Sequence, residues 1–359
     1  MLEDVKNGVM RIELIKCFNL LLLSFVIAVT FSCTDKSKAV KSFDVIKDLT
    51  AEQIPVSEIL NINNIIKLED YIVLQNTGEG GNDFYFVYSY PDIRFLYSFA
   101  HSGRGPEEYL MPSVIKNTQG NVIGFKDHAT DVIAFYELSD TAAQLMFSRT
   151  FKAPDINRFF WETNVIGDSL LLVKHQGYNT GARELWNLHS GTMVDSIGNS
   201  FPKLPHKMGK NYYTLFDDYL IAASGSRFVV SYNFIDRLEI GEIKDGKIHL
   251  TASVGAKQPP KFHLYGDDSR TEFSIDRNIV TYENVYAGKD YIYALYSGKR
   301  LDATEDDHSS SIEVYTWTGE PVQQLNLDIP VAYFAVDEKD RVIYAVNPEY
   351  MDKILKYVF

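Results

Sequence analysis

A short strand recurs along this chain at nearly even intervals, and this repeat restricts the folds open to it. Each copy is a turn residue, Asp or Gly, followed by residues that are mostly β-branched, aliphatic or aromatic and so favour β-strands. The copies begin at Asp70, Gly120, Asp168, Asp218, Asp290 and Asp340. The steps between these positions are therefore 50, 48, 50, 72 and 50. An all-β repeat of this length predicts a β-propeller with one such strand at an equivalent place in each blade. The residues predicted to have comparable environments are Val73, Ile123, Leu171, Ile221, Tyr293 and Ile343.

Six copies predict six blades, mostly four-stranded, within residues 58–359. Blade four has five candidate strands, beginning with Tyr212–Asp217, so either one of them is a loop or the blade carries an extra hairpin. Blade six has only three. The preceding residues 33–57 are predicted to be a tether in which Ser42–Ile46 alternates like a strand. This segment is our candidate for closing the last blade, and a linker without fixed structure is the alternative.

The composition supports one large β domain and argues against nucleic-acid binding. Of the 359 residues 45% are hydrophobic and 13% aromatic, which is ample for a sizeable core. The net charge is −13, and the segment up to Cys33 contributes nothing to it because its acidic and basic side chains balance. Nucleic-acid binding needs a basic surface, so an acidic surface favours cationic partners or simply solubility.

Residues 1–32 are predicted to be a signal peptide. The apolar run Phe18–Phe31 is shorter than the ~20 residues of an ordinary membrane span and has the length of a signal-peptide core. Basic residues Arg11 and Lys16 precede it, whereas Met1–Val9 is acidic, so translation starts at either Met1 or Met10.

The end of this run, Ser32-Cys33, resembles a bacterial lipoprotein signal, which implies cleavage before Cys33 and lipid on its thiol. The only other cysteine, Cys17, lies inside the signal, so the mature chain has no pair for an internal disulfide. Lipidation explains a sole cysteine at this position, and an uncleaved anchor followed by a chance cysteine is the alternative. We therefore predict an outer-membrane lipoprotein of the cell envelope, facing the periplasm or the cell surface, whose membrane contact is the N-terminal lipid.

Two local motifs, together with the repeat and the lipoprotein signal, resemble those of a known protein family. They are His101-Ser-Gly-Arg-Gly-Pro-Glu-Glu-Tyr109 and Tyr291-Ile-Tyr-Ala-Leu-Tyr-Ser-Gly298. Over residues 33–359 the chain resembles the TolB-like six-bladed propeller lipoproteins of Bacteroidetes, although that family more often has Gly where Glu107 stands. The resemblance implies a six-bladed propeller exposed in the cell envelope, and it implies no particular reaction.

Several polar residues are candidates for ligand binding. Arg104 and Glu107 are predicted to line a binding rim, with a structural connector between blades one and two as the alternative. Asp127, His128 and Asp131 are residue types that ligate metals, but turn chemistry explains the aspartates equally well. His175 follows the third repeat strand, and a lone histidine at a strand end is more often a surface or partly buried residue than a catalytic base.

Two long polar connections, Gly255–Tyr282 and Ser297–Ser311, interrupt the even period and are predicted to border the binding face. Arg270, Lys299 and Arg300 would supply charge there, and neutral drift of loop length is the alternative. The acidic stretch 301–310 has carboxylates suited to calcium but lacks the spacing of an EF-hand, so a solvated loop is favoured. The candidate calcium ligands are Asp302, Glu305, Asp306 and Asp307.

These features predict a binding or scaffold module that acts through its loop faces and central funnel on an envelope protein or glycan. The alternative is an enzyme, a hydrolase or lyase on a carbohydrate or a lactone, with its site in the funnel. The sequence contains no nucleophile elbow, phosphate loop, zinc helix or CxxC pair, and it specifies no cofactor.

Overall fold

The computed structural model describes residues 41–56, 58, 61–77, 83–151, 159–176, 182–198, 219–258, 264–265, 272–273, 278–300, 309–347, 349–350 and 352–359. For residues 159–161, 175–176, 264–265, 272–273 and 309 it describes the backbone alone. The described part of the chain consists of strands, turns and bends. It includes no helix with the length and apolar character needed to cross a membrane.

The strands form six blades, as the repeat predicts. Two N-terminal strands, β1 (Ile46–Leu49) and β2 (Glu52–Pro55), precede them. Blade one consists of β3 (Ile62–Lys67), β4 (Tyr71–Asn76), β5 (Asp83–Ser89), β6 (Phe95–Ser102) and β7 (Glu108–Tyr109). Blade two consists of β8 (Pro112–Lys116), β9 (Val122–Asp127), β10 (Val132–Leu138) and β11 (Ala143–Thr150). Blade three consists of β12 (Phe159–Ile166), β13 (Leu170–Gln176), β14 (Arg183–Asn187) and β15 (Met193–Ile197).

Blades four to six follow in the same order, from the innermost strand outwards. Blade four consists of β16 (Tyr219–Ser224), β17 (Arg227–Tyr232), β18 (Arg237–Lys244) and β19 (Lys247–Gly255). Blade five contains β22 (Ile279–Ala287), β23 (Tyr291–Arg300), β24 (Ser309–Thr316) and β25 (Pro321–Val331). Blade six contains β26 (Tyr333–Asp337), β27 (Val342–Val346) and β28 (Lys353–Val358). A short hairpin, β20 (Leu264–Tyr265) with β21 (Glu272–Phe273), lies between blades four and five.

Burial follows strand position within a blade. Strands β4 and β27 are buried along their whole length, because neighbouring blades cover both of their faces. The outermost strand β11 alternates between exposed and half-buried residues. The repeat strands therefore read as continuous apolar runs, which is expected for strands covered on both sides.

The repeat strand is the second strand of its blade in five blades, and blade four is the exception. There the predicted copy at Asp218 leads into β16, which is the innermost strand, and the second strand is β17. The predicted equivalence of Ile221 with Val73, Ile123, Leu171, Tyr293 and Ile343 is therefore wrong. The apolar pattern does not distinguish the two positions, because an innermost strand packed between two blades is as apolar as a second strand. Four described strands complete this blade, and Tyr212–Asp217 lies outside the described residues.

The N-terminal segment closes the ring, but not through the predicted residues. Strand β2 pairs antiparallel with β28 and supplies the fourth strand of blade six. The predicted strand Ser42–Ile46 is wrong, because residues 42–45 are not in a strand and Ile46 begins β1. Strand β1 pairs in parallel with β25, so it extends blade five instead. The alternating pattern of the N-terminal segment predicts an extended conformation, but it does not predict which strand the segment pairs with.

The connections differ sharply between the two ends of the strands. At the end where the innermost strands finish, every turn is short, for example 225–226 and 117–121. We call this the short-turn face. At the opposite end, which we call the long-connection face, the longest connections are 198–218 and 256–278. Variation in chain length is therefore confined to one face of the propeller.

Ile343 is fully buried in β27. We expect the substitution Ile343→Ala to lower the free energy of unfolding by about 2–5 kcal/mol, because it removes buried methyl groups and leaves a cavity. Chemical denaturation measures this change. Val358→Ala in the adjacent strand is the control, because Val358 is 64% exposed and should change stability little. Equal losses in the two variants would contradict the assignment of β27 to the blade core.

Candidate functional site

The innermost strands surround a cavity of about 680 Å³ on the axis of the propeller. Each blade contributes to its wall, through Lys67, Lys116, Glu162, Ser224, Glu283 and Asp337. The lining continues onto the short turns at Glu69 and Lys289, so the cavity occupies the short-turn end of the central channel. Its volume falls within the range of ~300–1,000 Å³ that is usual for small-molecule sites.

A three-residue cluster joins blade six to blade one at this cavity. The Lys67 ammonium lies 3.2 Å from Asp337 Oδ2 and 4.1 Å from the centre of the Tyr90 ring. The Tyr90 hydroxyl donates a hydrogen bond of 2.9 Å to the same carboxylate oxygen. Burial by itself would raise the pKa of Asp337, but the Asp340 backbone N–H, the Tyr90 hydroxyl and Lys67 together hold it below its usual value. Asp337 is therefore a fixed negative charge in the wall.

A second ion pair crosses from blade two to blade three. Lys116 Nζ lies 2.8 Å from Glu162 Oε2, and both side chains are partly exposed to the cavity. Their strands pair in parallel over two residues, Ile115 with Thr163 and Lys116 with Asn164, which joins the two blades into one eight-stranded sheet. The backbone pairing positions this ion pair, because the two charged residues lie at or beside the paired positions.

Side-chain amides bridge the inner strands elsewhere around the channel. Asn164 donates to the Ile221 carbonyl at 3.2 Å, from blade three to blade four. Asn284 donates to the Ala332 carbonyl at 3.1 Å, next to blade six. Asn117 donates at 2.6 Å to the Val165 carbonyl of blade three. These amides therefore bond to backbone carbonyls of the neighbouring blade or connection beside the channel.

Three ionisable groups of the wall have pKa values displaced from their usual range. The pKa of Asp337 lies below its usual value, and burial raises the pKa of Tyr286 and Tyr333. Each shift moves the group's titration away from neutral pH, whereas a general acid or base works best with a pKa close to it. Among the described residues, no group of three or more His, Cys, Asp or Glu side chains is placed to hold a metal ion.

The predicted rim residues Arg104 and Glu107 are exposed at the long-connection face, at the opposite end from the cavity. Their loop is held by Tyr109, which is buried against Phe125 and hydrogen-bonded to the Tyr136 hydroxyl at 2.8 Å. Glu107 has φ of 59°, a conformation that favours glycine, which gives a physical reason for the glycine that the family more often has there. Anchoring by Tyr109 gives this stretch a connecting role between blades one and two, and any role in ligand binding stays a prediction.

The other predicted site residues that the structure describes also lie towards the long-connection face. His128 is half-buried between β9 and β10, and burial beside Lys126 lowers its pKa to about 4. Lys299 and Arg300 end β23. The backbone of His175 lies near the end of β13. Arg270 and the acidic residues 302–307 lie outside the described residues, so the calcium prediction is untested.

The charged residues of the cavity wall were missed by sequence reasoning. Lys67, Lys116 and Asp337 each end an innermost strand, immediately before the turn that leads to a repeat strand. A charge at the end of an apolar strand is ordinarily attributed to solvent, and only closure of the ring turns these strand ends towards one another. A charged residue recurs at the same point of three repeats. Aligning the repeats with one another would have revealed these positions.

Comparison with known proteins agrees with this architecture. A family model described as TolB-like 6-blade propeller-like matches residues 46–339. The chain belongs to this family of TolB-like six-bladed propellers. Among solved structures, a Bacteroides fragilis NCTC 9343 protein described as exported has a TM-score of 0.54 and 13% identity, covering 87% of this chain and 99% of that one.

The WD40 domain of Toxoplasma gondii coronin is a more distant likeness, with a TM-score of 0.47 and 11% identity over 88% of both chains. At these identities the structural likeness to the B. fragilis protein shows the fold alone. No curated protein matches the sequence.

We expect the Asp337 cluster to make stability depend on pH. Because the pKa of Asp337 is lower in the folded than in the unfolded chain, its stabilisation is present above the unfolded value of ~3.9 and is lost as pH falls through the folded value. Asp337→Asn should therefore be less stable than the wild type by roughly 1–3 kcal/mol at neutral pH. This difference should shrink below pH ~4.

Denaturant unfolding at a series of pH values measures this difference. Asp290→Asn, in an exposed turn of the same face, is the matched control and should run parallel to the wild type. A difference between wild type and Asp337→Asn that stays constant down to pH 3 would show that Asp337 is not the titrating group.

Proposed function

We propose that this chain is a lipid-anchored propeller of the cell envelope that binds a small polar ligand, or a short segment of a partner, in its central channel. The observation that carries the proposal is the cavity of about 680 Å³ whose wall takes a polar side chain from every blade. Converging polar groups in a cavity of this size are characteristic of ligand sites.

The ion pairs in the wall support recognition of a polar molecule. Lys67 with Asp337 and Lys116 with Glu162 lie at two different blade junctions, so donors and acceptors are held at fixed positions around the cavity. Charges already paired within the protein are pre-organised, and a ligand that bonds to them does so without ordering flexible side chains. Neutral polyhydroxylated molecules such as glycans suit such a wall, since their hydroxyls both donate and accept hydrogen bonds.

The envelope location rests on the N-terminal sequence and on one likeness. Cys33 follows an apolar run of signal-peptide length and is the sole cysteine after it. Two or three acyl chains on that residue would give stable anchoring, since a single chain gives only marginal binding. The likeness to a B. fragilis protein described as exported supports the same location.

The alternative function, hydrolysis or elimination on a carbohydrate or lactone, receives less support from this wall. Such chemistry uses a side chain that titrates near neutral pH beside the reacting bond. The wall groups with displaced pKa values, Asp337, Tyr286 and Tyr333, are all moved away from that range. We therefore favour binding as the role of the channel.

We expect Ser224→Trp to abolish ligand binding by filling the cavity. Ser224 ends β16 and lines the cavity, whereas Ser226 is exposed in the next turn and is absent from the lining. Purified protein would be incubated with the low-molecular-weight fraction of an envelope extract, and retained molecules identified by mass spectrometry and titrated by calorimetry. Ser224→Trp should bind at least tenfold more weakly, and Ser226→Trp should bind like the wild type.

Two results would contradict the channel as the binding site. One is a wild-type protein that retains nothing beyond a buffer control. The other is full retention by Ser224→Trp at an unchanged melting temperature. In the latter case the long-connection face, including Lys299 and Arg300, becomes the place to mutate.

We expect Cys33→Ala to leave the protein without lipid and outside the outer-membrane fraction. Mass spectrometry of the mature N-terminus and fractionation of cells measure the two effects. Cys17→Ala is the matched control, since Cys17 belongs to the predicted signal and is removed with it. An intact chain that carries an unmodified Cys33 would disprove the lipoprotein assignment without bearing on the channel.

A further inference from the structure

The junction between blades four and five holds a partly buried lysine that does not belong to either blade. Lys41 comes from the segment 41–49, which we call the N-terminal strap, and its side chain is only 12% exposed. Its ammonium bonds to the Tyr282 hydroxyl, lies 3.1 Å from Glu313 Oε2, and pairs with Asp236. The strap therefore places one positive charge between two carboxylates.

Aromatic rings complete the surroundings of this ammonium. It lies 4.6 Å from the centre of the Tyr282 ring and 4.8 Å from that of Tyr296. The hydroxyls of Tyr282 and Tyr315 both donate to Glu313 Oε2, at 2.9 and 2.7 Å. Tyrosine faces and a hydrogen-bonded carboxylate form the kind of cage that recognises ammonium groups. We call these residues, with Asp236, the ammonium cage.

The preceding junction holds a cation in a pocket of the same kind. Between blades three and four, Arg183 bonds to Glu239 and to the Tyr232 hydroxyl, and its guanidinium lies 5.3 Å from the Tyr219 ring centre. The parts correspond, since Tyr219 and Tyr282 lie in innermost strands, and Glu239 and Glu313 in third strands. Arg183, however, is part of β14, whereas the cation of the ammonium cage comes from outside the blades.

The strap lies at the edge of blade five and is held by one four-residue strand pairing and a small number of polar contacts, whereas Arg183 is built into a blade strand, so Lys41 is the more removable of the two cations. Strand β1 pairs with β25 over four residues, and Leu49 is the only buried residue of that strand. Between Lys41 and β1, Phe43 packs against Tyr315 while residues 42, 44 and 45 are exposed. Withdrawal of the strap would leave the Glu313 carboxylate, 6% exposed, without its counter-charge. A buried carboxylate without a counter-charge is costly, so a cation that enters the vacated site would be stabilised there.

We propose that the ammonium cage is a binding site for a primary amine, such as a polyamine or the lysine of a partner segment. Lys41 occupies this site in cis and blocks it until the strap withdraws. The site is separate from the channel, so its test is independent of the function proposed above.

The test replaces Lys41 and supplies the amine from solution. We expect Lys41→Met to bind n-butylamine saturably by calorimetry, at least tenfold more tightly than the wild type, and to gain melting temperature as the amine is added. Glu313→Gln in the Lys41→Met background should abolish this binding. n-Butanol, which has the same length without the charge, should have no effect. Lys47→Met, on the same strap, is the matched control and should respond like the wild type.

Each outcome decides the proposal. A Lys41→Met protein that folds only in the presence of n-butylamine supports the site, because the amine then replaces the missing side chain. A variant that n-butylamine neither binds nor recovers overturns it. Equal responses of wild type and Lys41→Met, or persistence of binding after Glu313→Gln, would place the amine elsewhere and overturn it as well.

Discussion

The ring depends on one short ladder of hydrogen bonds between the two ends of the chain. Strand β2 near the N-terminus pairs with β28 near the C-terminus, and without it blade six has three strands and an open edge. Pairs so distant in sequence carry a large loop-closure entropy, so this ladder can form only together with the packing of the blades between its ends. Residues 52–55 are therefore part of the propeller even though they lie within the polar segment that follows the predicted signal.

Polar side chains control how the blades meet around that ring. Apolar packing between sheets is non-directional, so it does not by itself fix the rotation of one blade against the next. Cations contribute to this at two junctions. The buried Arg183 of blade three pairs with Glu239 of blade four. The partly buried Lys41 of the strap links Asp236 of blade four to Glu313 of blade five. Asparagine amides do it closer to the channel. Because a buried charge without its partner is costly, these contacts favour the observed arrangement of the blades.

The two faces of the propeller offer different possibilities for function. The short-turn face has only short turns, and the cavity at that end is built from the innermost strands and the turns that follow them. The long-connection face carries nearly all the variation in loop length, and loop lengthening changes stability only by ~0.6 kcal/mol per doubling. A fixed polar cavity suits a small ligand, whereas variable loops suit recognition that differs between related chains. The N-terminal strap adds a third feature, since it belongs to neither face and reaches a blade junction from outside.

The sequence alone determined the repeat, and with it the all-β class, the number of blades and most of the strands. It could do so because a strand covered on both faces must be apolar along its length, and this property repeats in one dimension. It also marked the cysteine expected to carry lipid. The partners of β1 and β2, the innermost position of β16 and the convergence of Lys67 with Asp337 were decided by the tertiary structure. An alternating pattern shows that a segment is extended and which of its residues are apolar. It does not show which strand the segment pairs with, because that depends on which strand edges remain open when the ring closes. For the same reason Lys41 reads as one more basic residue of a polar tether, and only the folded blades provide the tyrosines and carboxylates that surround it.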